Sequence, residues 1–432
     1  MSEFKISSVW PSPPAPAKSE ADATMCKLTL EVGDNIVSEF VDRRDVISKF
    51  LEIPAYYLAE WVAENWWSLL WEPRKSEDDS DSAEFLARHS ILTAQHGFAL
   101  PKVLIVPAGR FLSVSASARD VQLADVRFRR GASTTCSRDL IEKELRQFVV
   151  DVVSRLDASA VQDTYLQDAW SMVSETTEEE AQFCKFVGAL GLSPYDVDGA
   201  IADVIERMLP KMGERLLMDV CLVASSQTFA SFAETAAKAA ELTKYASVST
   251  LSPLSSLRLP QDNISVPAYR RGVNAARNVR QRLGVSDVDP KGASHIFEAL
   301  NIETGARTGS LSQNDETSIT GAVIRQEAEM RVGLLQSTET KRRFAAARAI
   351  FSGWSAELPN ESRLLTSAVT RDQQANRAFA AELTAPLALI RKRAKKGQLS
   401  PDDVFELAGD LRIGADVVAK QASNNGIEVF RA

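Results

Sequence analysis

The sequence predicts an α+β protein that is predominantly helical: a small α+β N-terminal domain, a helical middle domain and a mixed C-terminal domain. Three observations carry this expectation. Strand-like alternation clusters in the first third of the chain and returns only around AVIRQEAEMRVGLLQ (322–336), whereas helical periodicity recurs along the rest. A chain of 432 residues is too long for one ordinary core and suits two or three domains. With 45% hydrophobic and 25% charged residues, it has the make-up of a soluble globular protein.

Residues 1–25, rich in Pro, Ala and Ser, are expected to form a flexible tail. The α+β domain is placed at 26–156. CKLTLEV (26–32) alternates as a strand, and Gly33-Asp34 offers the turn of a hairpin. IPAYYLAEWVAENWWSLLWEP (53–73) repeats apolar residues at helical spacing until Pro73, and RKSEDDSDS (74–82) reads as a polar loop. Two strands flank the PAGR turn in 102–117, and DVRFRR (125–130) reads as a third. In 137–156 a single stripe of Ile141, Leu145, Phe148, Val149, Val152 and Leu156 predicts an amphipathic helix.

The helical domain is placed at 157–245, where GLSPYDVDGAIADVI opens a helix with Ser193 as N-cap and Pro194 at the first position. Ser- and Pro-rich residues 246–266 read as a linker, leaving 267–432 as the last domain. The polar stretch NIETGARTGSLSQNDETSITGA (301–322) precedes its strands.

The composition narrows the function. Fifty Lys and Arg against 58 Asp and Glu give a net charge of −8, which disfavours a grip on nucleic acid by the whole molecule. Cys26, Cys136, Cys184 and Cys221 form no CxxC pair and read as reduced thiols. No stretch has the length of a signal peptide core or a membrane helix, so a cytoplasmic protein with no membrane partner is expected. GxxxxGK[ST], GxGxxG and GxSxG are all missing.

Candidate residues have plain alternatives. Tyr56, Tyr57, Trp61, Trp66, Trp67 and Trp71 are expected to build a core. Because Trp66 and Trp67 point about 100° apart, one of them is expected to face a partner. His89 and His96, seven apart, could be a metal or acid–base pair but read better as structural or surface residues, and His295 reads as structural. The run Arg391, Lys392, Arg393, Lys395 and Lys396 reads as a solvated helix end, with phosphate contact as the alternative. Glu178–Glu180 read as solvent-facing charge.

Four segments taken together, RRGVNAARNVRQRLGV, RRFAAARAI, QQANRAFAAELTAP and DDVFELAGDLRIGADVVAKQ, resemble the ImmA/IrrE family of zinc metallopeptidases over residues 267–432. The resemblance implies a zincin-like fold for that region. Active members resemble RF-x-x-AHELGH at the second segment, where two histidines one turn apart hold zinc and the Glu between them activates water. Laid onto this chain, Arg348 stands at the first ligand, Ala349 at the general base and Ser352 at the second ligand. Gln373 and Gln374 stand where the family places its acidic third ligand, with Asp372 slightly out of register. Neither Arg nor Ala ligates zinc, so no metal, no cofactor and no catalytic residue is expected.

What the resemblance then implies is a non-catalytic pseudo-peptidase that acts as a protein-interaction or regulatory module. Its setting would be a bacterial stress, mobile-element or phage-defence system, and its partner another protein encoded nearby. One alternative is a DNA-associated regulator using the basic helix 268–283, the run 391–396 and the terminal helices. Another is a zinc-independent enzyme with its site in the N-terminal half. No binding residues are singled out, and the oligomeric state is not legible.

Overall fold

The computed structural model describes residues 4–75, 82–122, 125–258, 262–305, 318–356, 358 and 360–430, and among them the fold is α+β, about 50% helix and 19% strand. Residues 76–81 of the expected polar loop and 306–317 of the polar stretch lie outside the described residues. The chain separates into two compact units, Met1–Asp198 and Gly199–Ala432.

The first unit opens with β1 (Phe4–Val9), α1 (Glu20–Ala23), β2 (Met25–Val32), β3 (Asn35–Ile36), β4 (Phe40–Val41), β5 (Ile47–Ser48) and β6 (Leu51–Pro54). Helices α2 (Tyr56–Glu64), α3 (Trp66–Trp71) and α4 (Ala83–His89) follow. Next come β7 (Lys102–Pro107), β8 (Phe111–Ser117), β9 (Arg119–Val121), β10 (Val126–Phe128) and β11 (Ala132–Ser137). The unit closes with α5 (Arg138–Ala158), α6 (Tyr165–Ser174) and α7 (Glu178–Ala189).

These strands make three small sheets, β1-β2-β3 with β6 also on β2, β5-β4-β10-β9, and β11-β8-β7. The expected flexible tail is therefore partly a strand. Phe4 and Ile6 alternate inward and are buried, and β1 pairs antiparallel along β2 from Phe4↔Val32 to Val9↔Lys27. The Pro-rich composition that suggested disorder begins only after this strand. On the open edge of β1, the Ile6 N–H donates to the Glu144 carboxylate at 3.0 Å, which closes one edge group to further pairing. β10 joins β4 and β9, and β11 is the third strand beside β7 and β8.

All six stripe residues of α5 are buried, as their spacing requires. The aromatic helix breaks into α2 and α3 at Asn65, and both Trp66 (1% exposed) and Trp67 (8% exposed) lie in the core. The expectation that one faces a partner fails because helices cover both sides. Trp66 packs edge-on against Trp170 of α6, and Trp67 donates its indole N–H to the Tyr195 hydroxyl at 3.0 Å. α7 crosses so close to α3 that a Cβ on Gly188 would sit 2.7 Å from the Trp67 backbone.

The second unit starts with α8 (Gly199–Cys221), kinked at Gly213, and α9 (Phe229–Lys244). β12 (Val248–Thr250), α10 (Ala268–Arg282), α11 (Gly292–Ala299), β13 (Ile319–Gln326) and β14 (Glu329–Leu334) follow. Then come α12 (Glu339–Trp354), β15 (Ser362–Thr366), α13 (Arg371–Thr384) and α14 (Leu387–Arg393). A small terminal subdomain adds β16 (Gln398–Leu399), α15 (Pro401–Leu411), α16 (Ala415–Ser423) and β17 (Glu428–Val429), with its own apolar cluster around Ile390, Leu407 and Val418.

The main sheet is antiparallel, in the order β12-β14-β13-β15. Val248–Thr250 of the expected linker is thus a sheet strand. The sheet is covered on both faces. A Cβ on Gly333 would lie 2.4 Å from the Ala239 carbonyl of α9, and one on Gly353 of α12 would lie 2.7 Å from Met330 Sδ. The expected middle domain at 157–245 is accordingly divided. α6 and α7 spend their apolar stripes on the first unit, where Leu166, Trp170 and Cys184 join its core, while α8 and α9 cover the second unit's sheet. The capping signal at Ser193 yields one 3-10 turn, Pro194–Asp196, and α8 starts at Gly199.

α10 crosses α13 at backbone contact: a Cβ on Gly272 would stand 2.0 Å from the Ala375 carbonyl oxygen and 2.8 Å from the Phe379 nitrogen. Gly272→Ala is expected to destabilise the second unit by about 1–3 kcal/mol, because the obstacle is backbone and not a movable side chain. Chemical denaturation of the full chain checks this. A midpoint unchanged from the parent would show that the two helices separate freely.

Candidate functional site

α12 forms because Thr338 caps it, its hydroxyl accepting from the Lys341 N–H, and because Ala dominates its interior. It is buried on more sides than one apolar stripe would allow. Arg342, Arg343 and Arg348 are all buried with the apolar residues around them. Arg343 finds the Ser294 hydroxyl at 3.0 Å and stacks over Phe297. Arg348 is 4% exposed and points between α13 and the edge strand β15.

The Arg348 guanidinium is held by neutral acceptors alone. Its Nε donates to Asn376 Oδ1 at 2.6 Å, and its Nη2 to the Thr366 carbonyl at 2.6 Å and Gln373 Oε1 at 2.7 Å. Nη1 reaches Thr320 Oγ1 at 3.3 Å. Asn376 returns its amide to the Arg348 carbonyl at 3.0 Å and also donates to Ser352 Oγ. Burial, with Arg377 nearby, pushes the guanidinium down to about 9, so it stays charged at neutral pH.

The same side chains seal the free edge of β15. Leu365 and its alternate neighbours face β13, which leaves the backbone groups of Leu364 and Thr366 on the open side. The Leu364 N–H donates to Asp219 Oδ2 at 2.9 Å, and its carbonyl accepts from Gln373 Nε2 at 2.8 Å. The Thr366 N–H reaches Gln373 Oε1 at 3.4 Å, and its carbonyl is the Arg348 acceptor. The four outward groups of Leu364 and Thr366 are thus engaged by Asp219, Gln373 and Arg348. An incoming extended peptide could pair with Leu364 and Thr366 only by displacing them.

An ion-pair network continues outward. Arg363 contacts Glu361 at 2.9 Å, Asp372 at 3.4 Å and Asp219 at 3.7 Å, and Arg271 contacts Asp372 at 2.6 Å. Burial works against the Asp372 carboxylate, but Arg363 and Arg271 overcome it and hold it down to about 2.

This donor set does not fit a zinc ion. Arg348 brings a positive charge, Ala349 is fully buried in the apolar core, and the Ser352 hydroxyl is committed to Asn376. Gln373 is spent on Arg348 and β15, Gln374 bonds to the Val369 carbonyl, and Asp372 is turned to arginines. Among the described residues, no group of three or more His, Cys, Asp or Glu side chains is placed to hold a metal.

The remaining candidates resolve one by one. His89 is fully buried, with Nδ1 donating to the Ile105 carbonyl at 2.7 Å and Nε2 3.1 Å from Glu72 Oε2. His96 stacks instead on Tyr57, so the two histidines serve different partners. His295 pairs at the surface with Asp289, 3.3 Å away. Arg271 and Arg277 of α10 are engaged with Asp372 and Glu382, Arg280 is buried against Asp287, and Arg393 pairs with Asp403 and Glu406. Arg391, Lys392, Lys395 and Lys396 stay exposed. Glu178–Glu180 are exposed too, and Glu180 completes a capping box with Thr177. The four cysteines are buried, and burial pushes Cys26 and Cys184 up to about 11. Among the described residues, no helix is long and apolar enough to cross a membrane.

Thr366, Thr320 and Asp219, central to this arrangement, carry no signal in the sequence, because each acts on residues far from it along the chain. Asn376 stood in view within the segment QQANRAFAAELTAP but offered no hint of its partner. Compared with known proteins, the chain matches no family model, no curated protein and no solved structure.

Proposed function

We propose that this chain is a metal-free, non-catalytic protein of ImmA/IrrE-like, zincin-like build in residues 267–432, working in the bacterial cytoplasm as a protein-interaction or regulatory module. The observation that carries this reading is the Arg348 cluster. A buried cation, bonded to Asn376, Gln373, Thr366 and Thr320, stands where the resemblance places a zinc ligand. The outward backbone groups of Leu364 and Thr366 on β15 are also already taken, where a substrate strand would pair.

The partner on this reading is another protein encoded nearby, bound and not cut, in a stress, mobile-element or phage-defence setting. The DNA-associated alternative is weakened by the internal engagement of Arg271, Arg277, Arg280 and Arg393. What it keeps is the exposed run at 391–396. An enzyme site in the N-terminal half has less support, since His89 and Glu72 are consumed by a buried structural cluster.

The test is a pull-down of the full chain from its native host, with and without nuclease. A stoichiometric protein partner that survives nuclease supports the reading. Capture that vanishes with nuclease, and is abolished by Arg391→Glu/Lys392→Glu, would replace it with the DNA-associated one.

A further inference from the structure

The outer face of α2 carries a feature that no part of the proposed function uses. A cavity of about 400 Å³ opens there, lined by Tyr57, Glu60, Trp61 and Glu64 of α2, His96 after α4, and Tyr165 at the start of α6. All of these belong to the first unit.

Charged and aromatic groups converge at this place. Glu60 and Glu64 repeat like charge one helical turn apart, which weakens a helix. Burial lifts the Glu60 carboxyl above its ordinary value; the charge of His96 opposes the rise, while Glu64 and Glu20 add to it. Tyr165 leaves an aromatic ring 55% exposed on the same cavity as both carboxylates, and burial, then the charges of Glu64 and Glu60, raise its hydroxyl. His96 holds the left-handed backbone, φ 38°, that ends the 3-10 turn Ile91–Gln95 and sets its ring on the cavity.

His96 itself shows which ligand the site suits. Its imidazole, a flat ring able to carry positive charge, stacks on Tyr57 with centroids 4.5 Å apart and planes 11° apart, on the cavity that Glu60 also lines. A guanidinium is also flat, and its fixed fork matches a carboxylate while its face stacks on an aromatic ring. We infer that the Tyr57–Glu60–Glu64–Tyr165 cavity binds a guanidinium group, with His96 as the chain's own stand-in that the ligand displaces or stacks against. The group could belong to a small molecule or to an arginine side chain of a peptide.

Calorimetric titration of the full chain with agmatine, N-acetyl-arginine amide and putrescine tests this. Saturable binding of agmatine above putrescine is expected, weakened about tenfold or more in Glu60→Gln/Glu64→Gln, the loss of a charge-assisted contact. His96→Ala is expected to retain or strengthen it. Agmatine binding without the capped arginine identifies a small-molecule source; equal binding of both identifies a peptide side chain. Heats equal in the parent and the folded double Gln variant, or equal for agmatine and putrescine, would overturn the inference. Circular dichroism confirms that the variant is folded, and its glutamines keep size and shape at part-exposed positions.

Discussion

Arg348→Ala is expected to lower the stability of the second unit by about 3–5 kcal/mol, a shift in midpoint on the order of 10 °C for a unit of this size. Two effects oppose each other at this residue. Burying a guanidinium with no carboxylate partner costs several kcal/mol, and removing it relieves that cost. Truncation, however, strands Asn376 Oδ1, Gln373 Oε1 and the Thr366 carbonyl in a site that is 4% exposed, at about 1–3 kcal/mol each, and leaves a cavity. The stranded acceptors win. Arg348→Lys is expected to recover only part of the loss, because one ammonium on a flexible stem cannot serve the fork's separate acceptors. Thermal and chemical denaturation of both variants check the ranking, and a Lys variant equal to the parent would show that charge alone matters there.

Glu72→Ala is expected to destabilise the first unit by a similar amount, about 3–5 kcal/mol, since it breaks a buried charge cluster from one side. Arg88 grips Glu72 with two bonds of 2.7 Å, and His89 closes on the same carboxylate. Burial would raise the Glu72 carboxyl, but the hydrogen bonds from Arg88 and His89 outweigh it and hold it below 4.5. A carboxyl depressed in the folded state stabilises above its unfolded value and loses that contribution as pH falls through the folded one. Stability should therefore decline below pH 4.5, and Glu72→Gln should flatten that decline while lowering stability at neutral pH. A Gln variant with the parent's full acid slope would place the sensitivity elsewhere, Asp372 being the next group to measure.

Much of the local structure was legible. The α5 stripe, the two hairpins and the amphipathic α10 follow from spacing alone, because periodicity records which face of an element is buried. It does not record which core receives that face, so helices 157–245 read as one domain although α6–α7 and α8–α9 serve different units. The strand FKISSV was hidden by the Pro-rich residues after it. Pro386 separates α13 from α14, as a residue without an N–H to continue the helix ladder does.

At the candidate site, Arg348, Ala349 and Ser352 could be named from the resemblance, but not what Arg348 would touch. Its partners come from β13, β15 and α13, 18 to 28 residues away, and Asp219 reaches β15 across 145 residues. Each of those residues is ordinary in its own neighbourhood. The same holds for Glu60, Glu64 and His96, whose meaning depends on Tyr165 arriving from α6.

The central claim, that Arg348 and its amide partners replace a metal centre, is tested most directly by the metal content of the full chain. Protein equilibrated with excess zinc and passed over a desalting column should retain far less than one zinc per chain, with no change in melting temperature. One zinc per chain, retained through the column and lost in Gln373→Ala or Asp372→Ala while Arg348→Ala leaves it in place, would contradict the account and place a metal site here.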